Sequence, residues 1–197
     1  MRREECDYWD MIATDVKGGS EDKIIDNVWK RCAIVSRILE HRPVHAKVLE
    51  IGVGQGMAAA ITYMACLGNL DYTATDVSPV FCEFVRERWK LNAVNTDICK
   101  LPDGPFDMIW AFDSLEHVRP EDRAQGYAEI DRVLGEHGVI LLNVPRSESG
   151  HNEQFDYGQD DADITNLARI TKTKVVKWDF YHVEEVKRSY LWVELRR

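Results

Sequence analysis

The sequence has no long apolar run. Nothing in its 197 residues approaches the roughly 18 consecutive apolar residues that a membrane-spanning helix requires, so no membrane partner is expected. The opening Met1-Arg2-Arg3-Glu4-Glu5 leads into Asp7 and Asp10. That start lacks the apolar core of a secretory signal, and the expected location is the cytoplasm. The five cysteines, Cys6, Cys32, Cys66, Cys82 and Cys99, form no Cys-x-x-Cys pair. A zinc knuckle is therefore not expected, and free thiols in a reducing compartment are the simplest reading. Basic residues are also in short supply. Lys and Arg number 25 against 34 Asp and Glu, a formal net charge of −9, whereas a protein that grips a phosphate backbone usually carries a basic patch. The balance disfavours a nucleic-acid acceptor. No internal repeat or low-complexity tract is present.

What remains is ordinary globular material. Hydrophobic residues make up 45% and charged residues 30% of the chain, and this length fits one domain with a full core. Residues 1–42 read as an N-terminal helical cap segment and 43–197 as the core. An early helical segment runs from about Tyr8 to Val16. After Gly18-Gly19, Ser20 is placed to cap a helix that ends before Pro43, with Ile34, Val35 and Ile38 on its apolar face. From Lys47 onward strands and helices alternate. Strands are expected at 47–51, 71–76, 94–96, 106–112 and 138–144. Helices are expected at 57–67, from Ser78-Pro79 to about Leu91, and from Pro120. Such alternation implies a parallel sheet covered on both faces. Two late strands, 174–182 and 189–195, lie too close for a crossover and should be antiparallel.

The chemical signal begins at Glu50-Ile51-Gly52-Val53-Gly54-Gln55-Gly56, between the first core strand and its helix. Glycines there let a ligand approach the backbone, and ligands of open α/β sheets sit beyond the carboxyl ends of the strands. The G-x-G-x-G spacing differs from the G-x-G-x-x-G of a dinucleotide site, which disfavours a nucleotide-dependent oxidoreductase. Asp76 ends the second core strand, 20 residues after Gly56. A carboxylate so placed can accept from both hydroxyls of a ribose, or merely cap the next helix. Asp97 follows the third strand and can accept from an adenine amino group, with Ile98 packing on the ring.

These segments resemble the class I S-adenosylmethionine-dependent methyltransferases. The resemblance spans about residues 47 to 195. It rests on V-L-E-I-G-V-G-Q-G from Val48, Y-T-A-T-D-V-S-P from Tyr72, N-T-D-I-C-K-L-P from Asn95, F-D-M-I-W-A-F-D-S-L-E-H-V from Phe106, and Y-A-E-I-D-R-V-L-G-E-H-G-V-I-L-L-N-V-P from Tyr127. The familiar K-P-G-G turn is replaced by Gly135-Glu136-His137-Gly138. The resemblance implies a three-layer Rossmann-like α/β sandwich with a seven-stranded, mostly parallel sheet and an antiparallel last strand. It implies S-adenosyl-L-methionine as cofactor. Glu50, Gly52, Gly54 and Gly56 would serve its methionine part, Asp76 the ribose, Val77, Asp97 and Ile98 the adenine, and Phe112 and Asp113 the neighbourhood of the sulfonium.

Methyl transfer from a sulfonium needs alignment above all, and a base only when the acceptor must lose a proton. The expected catalytic residues are His117, Asp113 and Glu116, although Glu116-His117 can equally be structural. Asp113-x-x-Glu116-His117 is also similar to the E-x-x-E-H metal segment of quinone-biosynthesis O-methyltransferases and small-RNA ribose O-methyltransferases, with His151 as a further ligand. Asp stands where those carry Glu, and no metal is expected. The polar stretch 147–163 should border the acceptor pocket, with His151, Phe155 and Tyr157 foremost. Tyr8-Trp9, with Met11 and Ile12, should either cover the cofactor or pack on the sheet. Lys172, Lys174 and Lys177 form a modest basic group that reads as a solvated strand face. The expected function is methyl transfer to a small-molecule acceptor. The alternatives are a nucleic-acid or protein methyltransferase and a non-catalytic cofactor-binding partner subunit.

Overall fold

The computed structural model describes residues 3–17, 21–146, 154–184 and 188–197. Two helices, α1 (Arg3–Lys17) and α2 (Glu21–Glu40), precede the alternating part. It runs β1 (Lys47–Ile51), α3 (Met57–Ala65), β2 (Asp71–Asp76), α4 (Pro79–Trp89), β3 (Asn92–Asn95), β4 (Phe106–Phe112), α5 (Pro120–Val133), β5 (Leu134–Pro145), α6 (Asp161–Ile170), β6 (Lys174–Val183) and β7 (Arg188–Arg196). The capping expected of Ser20, the helix face expected of Ile24, Ile25, Val28 and Trp29, and the ligand role of His151 lie outside the described residues and side chains. Among the described residues no helix is long and apolar enough to cross a membrane.

The strands form one seven-stranded sheet in the order β3-β2-β1-β4-β5-β7-β6. Pairing is parallel from β3 to β5, and β7 runs antiparallel to both β5 and β6. This is the mostly parallel sheet with an antiparallel last strand that the sequence implied. Alternation along β4 shows why both faces are covered. Ile109 and Ala111 enter the core under α5 and α6, while Met108, Trp110 and Phe112 enter the core under α2, α3 and α4. Each strand residue thus feeds one of two apolar layers. The strand order reverses between β1 and β4, which opens a crevice at their carboxyl ends.

Local chemistry sets the boundaries. Ser78 caps α4 by accepting from Phe81 N at 3.2 Å, and Pro79 opens that helix, as the sequence suggested. Helix α6 was not expected, because its start falls in a stretch that reads as polar loop. Those aspartates are its cap: Asp160 Oδ1 accepts from Asp163 N at 2.9 Å, and Asp163 Oδ2 accepts from Asp160 N at 3.2 Å. This is a reciprocal capping box. Strand β5 begins four residues early. Phe106 pairs with Leu134, and the next pair is Met108 with Val139, so Gly135 to Gly138 form a bulge rather than a turn that precedes the strand. A second irregularity lies in β6, between Val175 and Lys177.

Candidate active site

A cavity of about 340 Å³ lies at the carboxyl ends of β1, β2 and β4, within the range of small-molecule sites. Its floor is the glycine loop. Gly52 N and Val53 N both donate to Thr75 O, at 2.9 and 3.0 Å, which ties the loop to the end of β2. The glycines do different work. At Gly52 a Cβ would lie 2.5 Å from Ser114 Cβ, and at Gly56 it would lie 2.9 Å from Val85 Cγ2. Both are tight packing positions. At Gly54, where φ is +52°, a Cβ would meet nothing within 4 Å. A side chain there would occupy space the cavity uses.

Three acids surround this floor. Glu50 is buried and accepts from Tyr72 Oη at 2.6 Å. Burial pushes its carboxyl up to about 7, against that hydrogen bond and the charge of Arg31. Asp76 accepts from Gly54 N through Oδ2 and from Ser78 N through Oδ1, each at 2.9 Å. It therefore joins the glycine loop to the start of α4, and burial raises it to about 6. Both oxygens keep acceptor capacity beyond those bonds. Asp97 Oδ1 accepts from Cys99 N at 2.7 Å and caps the 3-10 turn Ile98–Lys100. Glu50, Gly52, Gly54, Gly56, Asp76, Val77, Asp97, Ile98 and Phe112 all line the one cavity. Phe112 stacks between Trp110 and Trp192, with ring centroids 6.0 and 5.8 Å away.

The same cavity is lined by Asp113, Ser114 and His117. Asp113 has a left-handed backbone, φ 51°. Its Oδ1 accepts from Asn143 Nδ2 at 2.6 Å, and Tyr181 Oη donates in turn to Asn143 Oδ1. Arg31 Nη1 lies 3.6 Å from Asp113 Oδ2. His117 Nδ1 lies 3.0 Å from Phe155 O. A carbonyl only accepts, so Nδ1 carries the hydrogen and Nε2 is the basic nitrogen. The imidazole edge meets the Trp9 ring at 4.7 Å.

Glu116 is buried and absent from the cavity wall, with its Oε1 3.8 Å from His117 Nε2. Both side chains stand on the 3-10 turn Leu115–His117. Among the described residues no group of three His, Cys, Asp or Glu side chains is placed to hold a metal ion.

Helix α1 lies against the cavity. Glu5, Trp9 and Ile12 line it, whereas Met11 is exposed. Arg119 donates to Glu5, Tyr157 Oη donates to Glu5 Oε1 at 3.3 Å, and Ser78 Oγ donates to Asp10. Tyr8 packs edge-on against Phe155 at 5.3 Å. Sequence reasoning missed Arg31, Arg119, Ser114, Asn143 and Tyr181. For Arg31 a signal existed: it falls in the same helical stripe as buried Ile34, Val35 and Ile38, an unusual register for a charge. Of the basic group, Lys172 pairs with Asp131 at 2.8 Å and Lys177 with Glu40 at 3.1 Å.

Residues 48–138 match a family model described as a methyltransferase domain. A curated protein of Mycolicibacterium smegmatis, named "Probable S-adenosylmethionine-dependent methyltransferase", is 33% identical over 123 residues. That alignment covers 61% of this chain and 46% of the relative, so the chain spans about half of its length. Two solved structures are similar in fold. The magnesium protoporphyrin IX methyltransferase of Synechocystis PCC 6803, with bound SAM, aligns with a TM-score of 0.73 at 15% identity, covering 98% of this chain and 94% of that one. The 1,6-didemethyltoxoflavin-N1-methyltransferase of Burkholderia thailandensis, with its substrate and S-adenosylhomocysteine bound, gives 0.67 at 22% identity, covering 94% and 87%.

Proposed function

We propose that this chain, whose fold is that of the class I S-adenosylmethionine-dependent methyltransferases and whose residues 48–138 match a methyltransferase domain, transfers a methyl group from S-adenosyl-L-methionine to a small-molecule acceptor in the cytoplasm. The carrying observation is one continuous cavity. Its wall includes the open Gly54 floor with Asp76 and Asp97, and also Asp113 and His117. The donor set fits the cofactor: buried carboxylates for ribose hydroxyls and an ammonium, apolar Val77 and Ile98 for a flat base, and a glycine that leaves room for backbone approach. Residues 1–42 act as a helical cap on a core of 43–197, with Trp9 and Ile12 on the cavity.

When bound, the cofactor supplies a methyl group on a sulfonium, an already activated leaving group. The residues of this chain then have two tasks. The first is alignment, which in favourable cases is worth roughly 7–11 kcal/mol. Asp76 holds the ribose hydroxyls, Asp97 the adenine edge, and Glu50 the ammonium, while Phe112 and Asp113 border the reacting centre. The second is proton removal where the acceptor carries one. His117 Nε2 is the basic nitrogen on the cavity wall, fixed by the Phe155 carbonyl, and a positioned base adds about 10²–10⁴-fold. Glu116, buried with Oε1 3.8 Å from His117 Nε2, steadies the charge that His117 gains on taking a proton. The small acceptors in the names of both solved relatives support a small acceptor here. The pairing of Lys172 and Lys177 with acids further weakens the case for a nucleic-acid contact.

The test has two stages. Calorimetry is expected to show binding of S-adenosylmethionine and S-adenosylhomocysteine and none of NAD. Labelled cofactor with a metabolite extract should then yield a labelled small product identified by mass spectrometry. Tight NAD binding, or label only in protein or nucleic acid, overturns the reading.

A further inference from the structure

We propose that Arg31 receives the carboxylate at the amino-acid end of the cofactor, and that it does so by leaving Asp113. The inference rests on the cofactor reading above. It begins with the charges on the cavity wall. Among the described lining residues the arginines are Arg31 and Arg119. Arg119 is committed, since it donates to Glu5, lies 3.8 Å from Glu121, and sits 6.0 Å from the Tyr157 ring centre. Arg31 is held differently. Its described contact is the ion pair with Asp113 Oδ2 at 3.6 Å, which is too long for a hydrogen bond. Among the described residues the guanidinium is thus attracted by charge, and none of them accepts a hydrogen bond from its N–H fork.

Glu50 lines the same cavity as Arg31. Burial raises the Glu50 carboxyl, and the hydrogen bond from Tyr72 and the charge of Arg31 oppose that rise. A carboxylate and a guanidinium on the wall of one cavity form a matched receptor for a zwitterion. Glu50 suits the ammonium and Arg31 the carboxylate, whose two oxygens fit the planar fork.

The exchange follows from which partner can move. Asp113 is fixed by Asn143 Nδ2 at 2.6 Å, by its own N–H donating to Asn143 O at 2.9 Å, and by Tyr181 bracing the Asn143 amide. Arg31 sits on a flexible stem that is partly exposed, with no hydrogen bond holding its head among the described residues. An incoming carboxylate that offers two short charge-assisted bonds outcompetes one ion pair at 3.6 Å. Arg31 is therefore a cofactor-binding residue that exchanges its ion pair with Asp113 for the carboxylate when the cofactor enters.

The experiment compares S-adenosylmethionine with decarboxylated S-adenosylmethionine, which keeps the sulfonium and ammonium and lacks only the carboxylate. Both are titrated calorimetrically into wild type, Arg31→Ala, Arg31→Gln, Asp113→Asn and the Arg31→Ala/Asp113→Asn double variant. Either Arg31 variant is expected to weaken S-adenosylmethionine by roughly tenfold or more, the scale of a lost charge-assisted hydrogen bond, and the decarboxylated ligand by less than about twofold. Asp113→Asn is expected to tighten S-adenosylmethionine by roughly threefold or more, and to do nothing once Arg31 is gone. Equal weakening of both ligands, or of neither, overturns the assignment. Unchanged or weakened binding in Asp113→Asn overturns the exchange. Wild-type protein that binds neither ligand overturns the cofactor reading and the Arg31 assignment with it. The Gln and double variants keep the comparison intact if Arg31→Ala is poorly folded.

Discussion

The hydroxyl of Tyr72 on β2 donates across 2.6 Å to Oε2 of Glu50 on β1. Both groups are buried, and the register of the two strands sets Val48 opposite Tyr72, so the bond runs diagonally to the residue two further along. That geometry keeps the Glu50 carboxyl at the strand end, where the cavity begins. Burial holds this carboxyl at about 7 against an ordinary 4.5.

The sign of the resulting pH dependence is fixed by that direction. Because the folded value is raised, the folded chain keeps a proton that the unfolded chain loses. The stabilisation is full below about 4.5 and is lost as pH climbs through about 7, on the order of 3 kcal/mol for one such group. Denaturant melts across that range should show stability falling with pH, and Glu50→Gln should flatten the slope. Ligand binding should run the other way. A cationic ammonium favours ionised Glu50, so S-adenosylmethionine binds more tightly as pH rises and expels a proton below neutrality. Calorimetry in two buffers of different ionisation enthalpy reads that proton directly, and its absence would remove Glu50 from the ammonium site.

The glycine loop predicts two different failures. Gly54→Ala puts a side chain into open cavity, so cofactor affinity should fall by tenfold or more, roughly 1.4 kcal/mol upward, with the stability cost of a left-handed non-glycine residue, about 1–3 kcal/mol. Gly56→Val instead drives a side chain into Val85 and Trp89 and should lower the melting temperature strongly. Thermal melts beside titrations separate the two, and a Gly54→Ala variant that binds normally would place the ligand elsewhere.

Asp76→Ala should weaken cofactor binding by several kcal/mol, since hydrogen bonds to a charged group contribute about 1.5–3 kcal/mol each. It should also loosen the loop, because Gly54 N and Ser78 N both lose their acceptor. A folded variant with unchanged affinity would reduce Asp76 to a clamp between loop and helix.

His117→Ala should keep cofactor binding and lose turnover with the acceptor found by the labelled-extract assay. Turnover by wild type should be insensitive to EDTA, because Glu116 is absent from the cavity wall and Asp113 is engaged by Asn143 and Arg31. Loss with EDTA and recovery with Mg²⁺ or Mn²⁺ would revive a metal site. Full activity of His117→Ala would leave catalysis to alignment alone.

Much of this was legible in sequence because it is local. The glycine loop, Asp76 and Asp97 announce themselves by following apolar strand runs, and Ser78-Pro79 marks a helix start. What stayed hidden depends on distant partners. Asn143 looks like one more residue of a buried strand until β5 sets it beside Asp113. Tyr181 gains meaning only when the antiparallel β7 brings β6 alongside. Helix α6 was obscured because capping aspartates and loop aspartates are the same residues. The burial of Glu116 beside His117 was not readable either, because sequence adjacency says nothing of which side chain on a tight turn reaches the cavity.

The two margins of the sheet solve different problems. β3 ends it with four residues, too few to template another chain. β6 is ten residues long and shows water Val176, Trp178 and Phe180, which alone would invite end-to-end polymerisation. Its irregularity between Val175 and Lys177 kinks the outer backbone, and Lys174, Lys177 and Asp179 place charge along it. A bent, charged margin is a poor seed for cross-β growth, so this outer strand can hold its aromatic surface in water without templating a further strand.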